Sequence, residues 1–324
     1  MPALLETPFT ATGLPDKYST GGTLSFTNDE LAHALFTTGR APADQARHGR
    51  ASLWEFVHRA SLVPAYLRRT STGALGKSAL AHELDPSEKA ALSYALGQAM
   101  TAIYCRQELD VSFLMHVDRY AIQNQVSFGS GRGRPDLFGM MSSKGTMSSN
   151  DWVVAEAKGR SNGMERGLPA QLAAQKSMIK TINGQQPKVA VGCISSFPVQ
   201  PRGTRDQLHV DVVDPPPESE AVGIEIDLKL FRRAYYLPFV LAADAGERVS
   251  DLPGYRLSRF PGLGLQVGLR SSIHDLVVQN TPMTAELLNS ALEESRADER
   301  PDRIGFSDGT FVQTSWADAL AIED

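Results

Sequence analysis

The sequence predicts an α/β fold: a mixed sheet flanked by helices, in the element order αβββαβ, set between an N-terminal arm and a C-terminal α+β extension. Three observations predict it. A capped helical stretch starts at Asp85, a series of short β-branched and aromatic runs follows, and a second helix-like segment precedes one more apolar run near residue 190. With 42% hydrophobic residues among 324, the chain can bury one large core or two modest ones.

The first region, 1–84, begins as a Thr-, Gly-, Ser- and Pro-rich arm with one short helix expected at 29–36. Leu53, Phe56, Val57, Leu62 and Val63 then recur at helical spacing, and that helix is expected to break near Pro64. The core region is 85–200. Asp85-Pro86-Ser87-Glu88 combines a cap, a first-turn proline and a carboxylate that reaches back, so a helix should run over about 86–108. Its Leu92, Ala95, Leu96, Ala99, Met100, Ile103 and Tyr104 predict one broad buried stripe. VSFLMHVDRY, AIQNQVSFG, DLFGMM and DWVVAEAKG read as strands, 164–182 as a helix, and 188–197 as a buried strand.

In the extension, 201–324, prolines bracket LHVDVV, which reads as a decorated exit from the core. GIEIDLKLF reads as a strand, RRAYYLPFVLAADA as a helix, and Thr281-Pro282 opens a helix to about Glu299. GFSDGTFVQ carries the Asp308-Gly309 signal of a hairpin.

A formal net charge of −5 excludes general affinity for a polyanion, so any nucleic-acid contact must be local. Residues 130–180 reverse that sign, with eight Lys and Arg against four Asp and Glu. Cys105 and Cys193 lie far apart in apolar surroundings and read as free, buried thiols. Without a long apolar run or a leader, the expectation is a cytoplasmic protein with no membrane partner.

The chemistry concentrates in two strands. Asp136 opens one of them, in Arg134-Pro135-Asp136-Leu137-Phe138, and nineteen residues separate it from Glu156 on the next. Hairpin pairing would bring the two carboxylates to one edge. Glu156 and Lys158 stand two apart and therefore share a strand face, while Ala157 points into the core and can lend its carbonyl. Hydrolysis of a phosphodiester needs oxygen ligands for a divalent ion, a route from water to hydroxide, and positive charge near the phosphorane. Two HxD pairs, His116 with Asp118 and His209 with Asp211, lack a third ligand at metal-like spacing and read as structural. Trp54, Tyr235 and Tyr236 read as core or interface aromatics.

Pro135-Asp136 with Glu156-Ala157-Lys158 resembles the PD-(D/E)xK superfamily, the restriction-endonuclease-like nucleases, over roughly residues 85–200. The resemblance implies catalytic roles for Asp136, Glu156 and Lys158, and Mg2+ (or Mn2+) held by Asp136, Glu156 and the Ala157 carbonyl. It also implies substrate contacts from Gln171 and Gln175, which otherwise read as a solvated helix face, and Arg134 and Arg160, which flank the motif, are expected to meet phosphate. Several branches carry a Glu in the first core helix, where this chain has Gln98; an amide binds magnesium poorly but can hold a water on it, so one well-defined metal is expected. The implied activity is metal-dependent cleavage of DNA ahead of RNA, by analogy in bacterial restriction or anti-phage defence, with a partner subunit or a second copy as an open option. The alternatives are an RNA-cleaving enzyme and a degenerate nuclease fold that only binds nucleic acid or a protein.

Overall fold

Two reciprocal caps fix where the first helices of the core begin. Thr27 accepts from the Glu30 N–H while Glu30 Oε2 accepts from the Thr27 N–H at 2.8 Å, opening α1 (Asn28–Thr38). Asp85 Oδ1 accepts from Ser87 and Glu88 N–H groups at 2.6 and 2.9 Å, with Pro86 at the first turn, and so starts the long helix Pro86–Leu109. The computed structural model describes residues 4–15, 18, 21–39, 48, 51–123, 135–143, 146–161, 167–168, 179–197, 207–214, 222–293 and 305–316.

The architecture is mixed α/β. A seven-stranded sheet runs β2-β1-β10-β9-β7-β6-β5, where β1 is Leu4–Thr12, β2 Gly22–Thr27, β5 Val111–His116, β6 Leu137–Ser143, β7 Thr146–Arg160, β9 Val189–Ser196 and β10 His209–Val213. Strands β5, β6 and β7 are antiparallel neighbours, whereas β7 and β9 run parallel. Helix α2 (Ala51–Tyr66) packs beside α1, followed by the small hairpin β3 (Leu67–Arg69) and β4 (Leu75–Lys77), the short α3 (Ala79–Glu83), and α4 (Pro86–Leu109). Helix α4 lies against β7 and β9 on one side and α1 on the other. Every residue from Ala95 to Cys105 is therefore buried, rather than the single stripe its spacing predicted.

Helix α5 (Val117–Gln123) follows β5 directly, and β8 is Ile179–Ile182. The chain continues through β11 (Val222–Ile224) and α6 (Leu228–Ala245) into a second sheet, β12-β13-β14-β15, formed by Glu247–Val249, Tyr255–Phe260, Leu265–Arg270 and Thr310–Thr314. Helices α7 (Ser271–Val278) and α8 (Ala285–Glu293) complete that region. Phe231 of α6 meets Phe138 and Trp152 at ring distances of 5.1 and 5.3 Å, so α6 packs on the main sheet.

Several expectations need correction. The N-terminal arm is a hairpin built into the main sheet, because β1 pairs parallel with β10 and alternates exposed with buried residues along its length. LHVDVV is accordingly a central strand rather than an exit. Pro64 sits in the last turn of α2, where little helix remains to break. Val117–Gln123 is helical rather than extended, since β5 stops at His116. The end of the expected 164–182 helix is β8, drawn into extension by parallel pairing with β11. Of GIEIDLKLF only Gly223 and Ile224 are extended, as the end of the strand Val222–Ile224, because Asp227 caps α6 through the Lys229 and Leu230 N–H groups. Asp308-Gly309 does form a tight turn that folds the chain back on Phe306, whose carbonyl accepts from the Gly309 N–H and whose N–H donates to the Thr310 carbonyl; β15 then continues as the partner of β14.

Candidate active site

The pairing of β6 with β7 decides which side chains meet. Leu137 stands opposite Ala155, so one step outward Asp136 stands opposite Glu156. There the ladder is continued by side chains. The Asp136 N–H donates to Glu156 Oε2, and the Ala157 N–H donates to Asp136 Oδ2, each at 3.1 Å. Lys158 lies two residues beyond Glu156 on the same face, and its Nζ donates to Glu156 Oε1 at 2.6 Å. Glu156 is 1% exposed and Lys158 24%, so the carboxylate is sunk beneath a lysine that reaches solvent. In a strand the N–H and C=O of one residue face the same neighbour, so the Ala157 carbonyl is directed to the edge where Asp136 lies.

Burial and proximity set the charge state of this pair. Removal from water raises Glu156, the charge of Asp136 raises it further, and Lys158 only partly opposes them, leaving the acid at about 7. Asp136 is also raised, first by burial, against the pull of Lys158 and the Ala157 N–H. The two carboxyl groups are close enough to interact directly, and so share a proton over a range that reaches neutrality.

The opposite face of β7 is fixed by close approach of α4. A Cβ on Gly159 would stand 1.6 Å from the Ser93 carbonyl oxygen, and one on Gly97 would stand 2.6 Å from the Gly159 nitrogen. Only glycine permits that contact. Helix α4 is thereby seated one residue past Lys158. Its Gln98 is fully buried, and its Nε2 donates to Tyr94 Oη at 2.8 Å, which lies 3.4 Å from His116 Nε2. His116, Leu137 and Ala155 pair across β5, β6 and β7, so they share one sheet face while Asp136 and Glu156 occupy the other. Gln98 thus joins a Tyr94–His116 cluster, and it forms no hydrogen bond with Asp136, Glu156 or Lys158 among the described residues.

The HxD pair His116 and Asp118, read from sequence as structural, ends beside the carboxylates. The Val117 N–H between them donates to the Asp136 carbonyl at 2.8 Å, the Asp118 N–H donates to His116 Nδ1 at 3.1 Å, and the Asp118 charge adds to the rise at Asp136. The missed signal was position: this HxD closes the strand that precedes the one opened by Asp136. His209 and Asp211 instead bond each other at 3.3 Å on β10, with Thr10 Oγ1 donating to Asp211 at 2.7 Å. Arg160 closes β7 on the face of Glu156 and Lys158, and its buried Nε has no partner among the described residues. Arg134, Gln171 and Gln175 lie outside the described residues. Leu168, just before the two glutamines, packs on Ile194, the β9 partner of Lys158.

Among the described residues no group of three His, Cys, Asp or Glu side chains converges as a metal site. The donor set at Asp136, Glu156 and the Ala157 carbonyl is nonetheless all hard oxygen, which suits magnesium or manganese. Its two crowded carboxylates would be relieved by a divalent cation. Both cysteines are buried and free, and no described helix is long and apolar enough to cross a membrane. Compared with protein-family models, with curated proteins and with solved structures, the chain matches none.

Proposed function

We propose that this chain is a divalent-metal-dependent nuclease with a restriction-endonuclease-like core, cleaving DNA ahead of RNA. The observation that carries the reading is the pairing of Asp136 with Glu156 across β6 and β7, with Lys158 bonded to Glu156 from the same face. Supporting it is the order α4, β5, β6, β7 and then β9, with β9 parallel to β7 beside the antiparallel trio. A short helix, Val117–Gln123, stands between β5 and β6, and β8 between β7 and β9, so the support comes from the pairing of these strands and not from the full αβββαβ order.

Asp136, Glu156 and the Ala157 carbonyl would hold the cation. Magnesium, or manganese in its place, would polarise the scissile phosphate and ease ionisation of the attacking water. The rest belongs to the chain. Lys158 is partly exposed, so its Nζ can leave Glu156 Oε1 to orient that water, or to deprotonate it once it has given up its own proton. Backbone donation from Ala157 holds Asp136 in place, and Asp136 in turn holds Glu156 Oε2. Arg160, two residues beyond Lys158 on that face, stands where a phosphate oxygen could take the unspent Nε–H. Bacterial restriction or anti-phage defence is the proposed setting, by analogy with the superfamily.

The test is a cleavage panel of duplex DNA, single-stranded DNA and RNA with magnesium, manganese or chelator, using wild type, Asp136→Asn and Lys158→Ala. Chelator-sensitive cleavage lost in both variants supports the proposal, and the preferred polymer names the substrate. Equal activity in all three proteins sinks it, and metal-independent binding without cleavage points to a degenerate fold.

A further inference from the structure

A cavity of about 340 Å3 lies between α2 and α4, at the lower end of the roughly 300–1,000 Å3 usual for ligand pockets. Leu62 and Leu92 contribute its apolar floor, and Tyr66, Tyr94, His58 and Arg59 its functional groups. Arg59 is buried; its Nε is bonded to Glu55, yet its Nη1 is shielded from solvent with no hydrogen-bond partner among the described residues. A buried guanidinium donor left unspent calls for an acceptor oxygen. Glu88 also lines the cavity, but its Oε2 is committed to the Asp85 N–H in the cap of α4.

Tyr94 lines this cavity, and Trp54 precedes the lining residue His58 on α2. Tyr94 is 44% exposed, and Trp54, one helical turn before His58 on the same face of α2, is 67% exposed. Of its two readings, core or interface aromatic, Trp54 departs from the first: it faces solvent, whereas the chain's other tryptophans, Trp152 and Trp316, are buried. Tyr94 also joins the cavity to the catalytic edge, because its hydroxyl lies beside His116 and the next residue, Val117, bonds the Asp136 carbonyl.

We infer that this cavity binds a nucleobase, stacked on Tyr94 and Tyr66 with a ring carbonyl accepting from Arg59. The choice of a base rests on the nuclease reading; the need for a flat, acceptor-bearing ligand rests on the cavity alone. The base could belong to an unpaired end of the substrate strand or to a free nucleotide, and the chemistry at Arg59 and the tyrosines is the same for both.

The experiment is a fluorescence titration of the full chain, through the exposed Trp54, with deoxynucleoside monophosphates in chelator. Deoxyribose 5-phosphate is the control without a base. Saturable quenching by nucleotide and not by the sugar phosphate is expected. It should weaken by about tenfold in Tyr94→Leu and be lost in Ala91→Phe, which adds bulk at the mouth from an exposed position. Competition by a duplex with an unpaired terminal base, and not by a blunt one, assigns the ligand to the strand end; competition by free nucleotide alone assigns it to the pool. Absence of saturation in wild type, equal binding of the sugar phosphate, or unchanged binding in both variants overturns the inference. Cleavage without nucleotide binding removes the pocket and leaves the nuclease; nucleotide binding without cleavage under any metal does the reverse.

Discussion

Asp136 and Glu156 are held together by backbone as much as by side chain. The Asp136 N–H donates to Glu156 Oε2, and Ala157, the residue after Glu156, returns an N–H to Asp136 Oδ2, both at 3.1 Å. Two carboxylates are thus kept adjacent although their charges repel, and that conflict is the source of testable behaviour.

Stability without metal should fall as pH rises. Glu156 is raised from its ordinary range to about 7 in the folded chain, so between about pH 4.5 and 7 the folded state binds a proton that the unfolded state has lost. Its contribution is complete below that window and disappears through it. Urea denaturation in chelator across pH 4.5–8 should show the decline, and Glu156→Gln should flatten it. An identical slope in that variant would assign the effect elsewhere.

Magnesium should compete with that proton. Affinity at the pair should weaken as pH drops through about 7, because the shared proton must leave before the cation is held. Calorimetric titration at several pH values would measure proton release on binding. No release, together with pH-independent affinity, counts against a metal held by these two groups.

The contact between Gly159 and α4 should be intolerant of a single methyl. Gly159→Ala would place its Cβ 1.6 Å from the Ser93 carbonyl, and relief requires the helix to move off β7. A loss of about 3 kcal/mol is expected, the upper end for overpacking. Cleavage should fall as well, although every catalytic group is unchanged, because Lys158 is the preceding residue. Wild-type stability in the variant would show that α4 and β7 can part freely.

A buried polar chain joins the main sheet region to the C-terminal sheet. Arg106 Nη2 lies 2.5 Å from His33 Nδ1, His33 Nε2 faces Asp308 Oδ2 at 3.2 Å, and Tyr235 Oη donates to the same Asp308 oxygen. Burial lowers His33 to about 4, so it is neutral and bridges, while His33 and Arg106 hold Asp308 well below the usual carboxylate range. Asp308→Asn keeps the shape and removes the charge, leaving Arg106 uncompensated, and should cost about 3–5 kcal/mol in denaturant unfolding. A cost under about 0.5 kcal/mol, within surface-substitution range, would mark the chain as incidental.

What could be read from sequence was local. The caps of α1 and α4, the apolar run of β7 ending in Glu156-Ala157-Lys158, and the hairpin that carries Asp136 to it all lie within a few residues of their own signals. The parallel pairing of β1 with β10 leaves no such mark, because Phe9 meets Val210 two hundred residues away. The switch from strand to helix at Val117 was hidden for a similar reason: β6 ends the ladder there, and no cap residue announces α5. Arg119 shows what anchors it, donating to carbonyls of Thr37 and Tyr235 in two distant helices.

The order β2-β1-β10-β9-β7 has a consequence for how the chain is made. The first hairpin leaves the ribosome early, yet the strand that completes it is synthesised some two hundred residues later. Until then both β1 and β9 present an open row of amides, the condition under which strands find wrong partners. Expression of 85–200 alone would make that interval permanent, so the polypeptide carrying Asp136, Glu156 and Lys158, the residues proposed as catalytic, is also the one least suited to being produced by itself.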